Sequence, residues 1–175
     1  MDISNDKIVY SESDIAEAIS ELAYKINNAI DSVKYGVPIY ICVMNGAVQF
    51  FADITKKLPP GRCVYIEASS YGDGQTAGKL IIQNLPTTLK GGQIFIFDDI
   101  CDEGNTLKTL RDRVQSLYLD HDVYTVAFID RLKPGKEVPY WSAIETSEST
   151  FFAGYGMDDK GLCRNLPFIY DCTED

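Results

Sequence analysis

The chain has 175 residues, 45% of them hydrophobic and 24% charged, the balance of one globular domain of roughly 150 residues with room for a small appended lobe. With 26 Asp and Glu against 16 Lys and Arg the net charge is −10, which excludes attraction to nucleic acid or to an anionic membrane through a basic field. No apolar run approaches the roughly 20 residues that span a bilayer, and the opening MDISNDKIVYSES lacks the basic and apolar regions of a secretory leader, so a cytoplasmic location is expected.

In chain order, SESDIAEAISELAYKINNAIDSVKYG reads as one long amphipathic helix. Ser and Asp stand at capping positions, Ile15, Ile19, Leu22, Ile26 and Ile30 recur every three or four residues, and Gly36 ends it. After Pro38, IYICVMN predicts a strand buried on both faces; Gly46 then turns the chain into AVQFFADITKKL, helical until Pro59-Pro60. RCVYIEASSY and GKLIIQN are the next expected strands, separated by the polar, glycine-rich YGDGQTAG. QIFIFDDI is the clearest buried strand, and CDEGNT leads from it into a helix over about 107–119. VYTVAFID supplies a further buried strand. This alternation predicts the α/β class, a mainly parallel twisted sheet flanked by helices on both faces.

Beyond Asp130 the character changes. RLKPGKEVP is a basic, proline-bearing turn, ETSEST is polar, and FFAGYGMDDKGLCRNLPFIYDC mixes aromatics with glycine. A single domain is expected, with a core over about 8–137 and a small C-terminal hood over about 138–175 lying across the sheet edge. The five cysteines, Cys42, Cys63, Cys101, Cys163 and Cys172, have no paired CxxC spacing and are expected to be reduced, the first three serving as small hydrophobes.

Open α/β sheets bind ligands beyond the carboxyl ends of their strands, and two such turns carry unusual residues. In IFIFDDICDEGNT, Asp98 and Asp99 close an apolar strand, and Asp102, Gly104 and Thr106 follow just before a helix. Backbone amides at a helix start form an anion site. Adjacent carboxylates at a strand end are costly to bury without a metal or hydroxyl donors, and a sugar diol beside a magnesium ion supplies both; the plain alternative is that they cap the helix or face water. In CVMNGAVQFF, the amides near Asn45 to Ala47 offer a second anion site, although Gly46 alone would serve equally as a helix-start device. The two turns together suit a ligand with two phosphate groups and a ribose diol between them. No GxGxxG follows a strand, which disfavours a dinucleotide-binding oxidoreductase.

IFIFDDICDEGNTL resembles the signature of type I phosphoribosyltransferases. CVMNGAVQFFAD, ASSYGD, FIDRLKP and FFAGYGMDDKGLCRNLP, in that order, are similar to the hypoxanthine-guanine branch, and the likeness runs from about Val9 to Tyr170. The resemblance implies transfer of a phosphoribosyl group from phosphoribosyl pyrophosphate to N9 of hypoxanthine or guanine, with xanthine a further candidate base, releasing pyrophosphate and giving IMP or GMP. It implies Mg2+ as cofactor and assembly as a homodimer or homotetramer.

Carried over by position, Asp98 and Asp99 hold the ribose hydroxyls and magnesium, and Asp102 is the general base or acid near the purine N7. Asp102, Glu103, Gly104, Asn105 and Thr106 form the 5′-phosphate loop. Asn45 and Gly46 match a pyrophosphate loop in which the family often has Lys and a non-proline cis peptide. Ser70 and Tyr71 match a mobile flap, with the 70–78 stretch as a lid or, alternatively, a plain surface loop. Arg131 takes the place of a base-reading Lys near the purine O6. Phe151 matches the ring that stacks on the base, the alternative being an ordinary core Phe. Phe152 offers backbone groups to the base edge, Asp158 binds magnesium beside the base, and Arg164 meets pyrophosphate.

Glu103, Asn45 and Arg131 depart from the commoner Thr or Ser, Lys and Lys at their positions. A non-catalytic, nucleotide-sensing regulator of the same fold is the competing expectation; retention of Asp102 disfavours it, since a sensor needs no proton acceptor.

Overall fold

The computed structural model describes residues 7–71 and 79–173. Its elements are β1 (Ile8–Tyr10), α1 (Glu12–Ala29), α2 (Ser32–Tyr35), β2 (Ile39–Met44), α3 (Val48–Thr55), β3 (Arg62–Tyr71), β4 (Lys79–Gln83), β5 (Ile94–Cys101), α4 (Asn105–Leu117), β6 (Val123–Arg131), β7 (Trp141–Thr146), β8 (Phe152–Ala153) and β9 (Ile169–Asp171).

The start of α1 follows from its sequence. The Ser11 hydroxyl accepts the Asp14 N–H while the Asp14 carboxylate accepts the Ser11 N–H at 2.9 Å, a capping box. Ile15, Ile19, Leu22, Ala23 and Ile26 form its buried stripe. The expected single helix through Gly36 is instead two. Gln93, nearly buried, donates to Ala29 O at 3.0 Å and accepts the Asp31 N–H at 2.8 Å. With the Asp31 N–H committed to that side chain, the helical ladder stops at Ile30, which is extended, and Asp31 caps the new turn of α2 by accepting the Lys34 N–H.

Six strands form the main sheet in the order β4-β3-β2-β5-β6-β7. All neighbours are parallel except β3 and β4. Along β5, Phe95 and Phe97 enter the core cluster shared with α1 and α3, while Ile94 and Ile96 enter the cluster beneath α4. Successive side chains of a strand point to opposite faces, so a strand covered on both sides must be apolar throughout; each such side chain contributes about 1.5–3 kcal/mol on burial. Because β2 runs through α3 to β3 on one side and β5 runs through α4 to β6 on the other, the strand order reverses between β2 and β5. Their carboxyl ends therefore open a crevice.

The hood does not begin where the change in composition suggested. Trp141–Thr146, expected in the lobe, is the sixth strand of the main sheet, pairing in parallel with Val126 to Arg131; Trp141, Ala143 and Ile144 pack on the α1 side of the core. The small lobe is a second sheet, β1-β9-β8, so it recruits the first described strand as well as the last. No disulfide joins the five cysteines, and Cys63 is exposed rather than a core hydrophobe. Among the described residues no helix is long and apolar enough to cross a membrane.

Candidate active site

Asp98 and Asp99 arrive at the crevice because the last residues of β5 extend beyond its pairing with β2, which ends at Phe97. The Asp99 N–H donates to Asp98 Oδ1 at 3.1 Å and the Ile100 N–H to Asp99 Oδ1 at 2.8 Å. These bonds leave each carboxylate with unpaired oxygen capacity, and burial pushes both acids above the ordinary carboxylate range, Asp98 the further because the Asp99 charge adds to it. The Arg164 charge draws Asp99 slightly the other way. Asp98 is buried and Asp99 half-buried at the edge of the crevice, and neither carboxylate caps a helix among the described hydrogen bonds.

The bend after them is built around Gly104. Its φ is +77°, and a Cβ there would lie 2.1 Å from Glu137 O, so only glycine suits both the backbone and the approach of the neighbouring loop. No side chain caps the start of α4, which leaves the first-turn amides free for an anion. They border a cavity of about 270 Å3 lined by Asp98, Asp102, Glu103, Asn105 and Thr106 among others.

At the neighbouring strand end the Met44–Asn45 peptide is cis. A Cβ on Gly46 would fall 1.7 Å from Asp99 Oδ2, and one on Gly156 would fall 2.0 Å from Gly46 O. The Asn45–Gly46 turn is thus wedged between β5 and the small lobe; its glycine is set by close approach, not merely by the start of α3.

Arg164 joins the same corner from the lobe. It donates to Gly156 O at 2.7 Å and pairs with Asp158 Oδ1, while Asp158 Oδ2 accepts the Gly161 N–H at 2.8 Å. Both Asp158 oxygens are therefore engaged. Asp158 thus faces Arg164, while Asp98 and Asp99 lie side by side at the end of β5; no group of three or more His, Cys, Asp or Glu is gathered at metal-binding spacing among the described residues.

A second cavity, of about 390 Å3, adjoins the first through their shared wall at Asp102 and is lined by Asp99, Arg131, Lys133, Phe151, Phe152 and Asp158, with others. Arg131 is held firmly. Its Nε lies 3.3 Å from Asp102 Oδ1, its Nη1 donates to Glu148 O at 2.7 Å, its Nη2 donates to Thr150 O, and its guanidinium stacks 4.9 Å from the centre of the Phe152 ring. Phe152 is buried whereas Phe151 is 71% exposed, a free flat face at the cavity and not a core residue.

Ser70 and Tyr71 end β3, paired with Leu80 and Lys79 of β4; residues 72–78, with Gly72, Gly74 and Gly78, lie outside the described residues.

Two lysines matter here that motif reading passed over. Lys133 bridges Asp102 and Glu103. Lys136, 1% exposed, pairs with Asp130 and donates to Cys101 O at 2.9 Å, tying the turn after β6 to the end of β5. The only sequence signal is the pair of lysines in LKPGK directly after a buried strand.

Residues 7–160 match the family described as phosphoribosyl transferase domain. The hypoxanthine-guanine-xanthine phosphoribosyltransferase of Tritrichomonas foetus is 31% identical over 170 residues, covering 94% of this chain and 90% of its own length. The hypoxanthine-guanine phosphoribosyltransferase of Aquifex aeolicus is 30% identical over 172 residues, covering 94% and 93%. Among solved structures, a hypoxanthine-guanine phosphoribosyltransferase of Bacillus anthracis aligns with a TM-score of 0.83 at 25% identity, over 98% of this chain and 100% of that one.

Proposed function

This chain belongs to the phosphoribosyl transferase family, and from that premise we propose that it moves the 5-phosphoribosyl group of phosphoribosyl pyrophosphate to N9 of a 6-oxopurine, giving a nucleoside monophosphate and pyrophosphate. The observation that carries the proposal is the pair of adjoining cavities: one at the uncapped start of α4, with room for a phosphate, and a larger one with an exposed aromatic face, meeting at Asp102. The similarity to hypoxanthine-guanine phosphoribosyltransferases over more than nine-tenths of the chain supports it.

In this reading the bend over 102–106 takes the 5′-phosphate through its amides, while Asn45, Gly46 and Arg164 face the pyrophosphate. Preorganised donors aimed at developing charge cost no rearrangement as the bond breaks, and the Arg164 fork suits phosphate oxygens. Asp98 and Asp99 face the ribose hydroxyls. Phe151 stacks on the base, a contact worth about 1–3 kcal/mol. Arg131 has spent two of its five N–H groups on carbonyls and holds its Nε beside Asp102; those left are donors, which suit an exocyclic oxygen and not the amino group of adenine. Asp102 takes or returns the proton of the reacting imidazole edge.

Magnesium fits the acid pair: one buried and one half-buried carboxylate, raised in proton affinity and with no cation bonded to them among the described residues, are the hard oxygen donors that ion shares with substrate phosphates and water. When bound, it would neutralise charge developing on the departing pyrophosphate. The same reading places the chain in the cytoplasm, which suits five cysteines with no disulfide among them, and as a homodimer or homotetramer, an assembly that rests on the family resemblance.

The test is to incubate the protein with phosphoribosyl pyrophosphate and each base, with magnesium or with chelator. Nucleotide is expected from hypoxanthine, guanine or xanthine, with magnesium only, and at least about a hundredfold more slowly for Asp102→Asn, the size of a general-acid–base contribution. No nucleotide from any 6-oxopurine refutes the function; equal turnover of adenine refutes the role of Arg131.

A further inference from the structure

Three acids, Asp98, Asp102 and Glu103, line the cavity at the start of α4, and no lysine or arginine is among its described lining residues. An anion entering there gains the start of α4, worth a partial charge of about +0.5, and meets carboxylates of larger opposing charge. Compensation comes from outside the wall. Lys133, on the turn after β6, places its ammonium 2.6 Å from Glu103 Oε1 and 2.8 Å from Asp102 Oδ2, while Arg131 takes the other Asp102 oxygen. One ammonium thus serves two carboxylates one residue apart. Lys133 lines the larger cavity and Glu103 the smaller, so the bridge draws the Glu103 charge toward the base side of the shared wall. Pairs this exposed add little to folding stability, typically about 0–1 kcal/mol, so the arrangement matters chiefly for what the cavity admits.

We infer that Lys133 is a positioning residue for the phosphate end of the substrate, neutralising and tethering Glu103 so that the amide-lined bend accepts a phosphorylated pentose. Released from Lys133, Glu103 stands as an uncompensated negative charge beside a phosphate dianion. At a separation of about 6 Å and a dielectric near that of water, this repulsion weakens binding roughly tenfold. The inference rests on phosphoribosyl transfer as the function, but its test does not use turnover.

The probe is ribose 5-phosphate, titrated calorimetrically into the full chain as wild type, Lys133→Met, Lys133→Arg and Lys133→Met/Glu103→Gln, each first checked by thermal melting. Lys133→Met is expected to bind roughly tenfold more weakly, whereas Lys133→Arg and the double variant return to within about threefold of wild type. Equal affinity in wild type and Lys133→Met overturns the inference, as does a double variant no better than Lys133→Met, or a wild type that does not bind ribose 5-phosphate. A wild type that follows the expected binding pattern yet makes no nucleotide from any base leaves the role of Lys133 standing and removes the proposed function instead.

Discussion

Replacing Gly104 with Ala puts a methyl group 2.1 Å from the Glu137 carbonyl oxygen at a residue whose φ is +77°. Gly135 is a matched control, with φ +75° and nothing within 4 Å of the added carbon. The left-handed conformation costs an L-residue about 1–2 kcal/mol, partly offset by about 0.4–1 kcal/mol from a stiffer unfolded chain. Gly135→Ala is therefore expected to lose about 1 kcal/mol, or about 2–4 °C in Tm for a chain of this length.

Gly104→Ala carries the same strain plus a contact that must open by more than 1 Å, estimated from an ordinary approach of about 3.4 Å between unbonded atoms. The carbonyl that must move is next to Lys136, which is anchored to Asp130 and Cys101 O. Disturbing a buried pair costs about 3–5 kcal/mol when it is fully broken, so partial displacement adds about 3 kcal/mol and a further 6–12 °C. Parallel thermal melts of wild type and both variants measure the difference. Equal losses in the two variants, to within about 2 °C, would refute the claim that the approach of Glu137 dictates glycine at 104.

Burial lifts Asp98 and Asp99 above the ordinary value of 3.8, so the folded chain keeps protons that the unfolded chain has released; this contribution is whole below that value and is lost as pH rises through the raised ones. In chelator and without substrate, the Tm of Asp98→Asn relative to wild type is expected to increase as pH rises above the ordinary carboxylate value of 3.8, and a pH-independent difference would contradict the burial argument. Lys136→Met strands Asp130, which is 4% exposed, and is expected to cost about 3–5 kcal/mol in urea unfolding, with Asp130→Asn/Lys136→Met recovering more than half; a double variant as unstable as the single one would mean the pair is not the source of the loss.

Much of the site was legible because it is local. An apolar run ending in Asp98-Asp99, followed within a few residues by Gly104 and a helical pattern, carries its geometry in adjacent positions. The turn at Gly46 was legible as a turn but not as a contact, since Asp99, which demands the missing Cβ at 46, and Gly156, whose own missing Cβ admits the Gly46 carbonyl, lie far along the chain. The break after Ala29 depends on Gln93, more than sixty residues away, and no periodicity within the helix announces it. Trp141–Thr146 reads ambiguously because an edge strand, half-exposed on its outer side, lacks the unbroken apolar run of β5.

The sequence by itself determined most of the strands and helices of the core, that the sheet is mainly parallel, and where two glycine-bearing strand-to-helix turns stand, because propensity, hydrophobic period and turn chemistry act between near neighbours. Tertiary structure alone decided the charge arrangement. Lys133 meets Glu103, Arg131 meets Asp102, and Arg164 meets Asp158. Coulomb energy depends on distance through space, and those distances exist only once β5 and β6 lie side by side and the lobe has folded back over their ends.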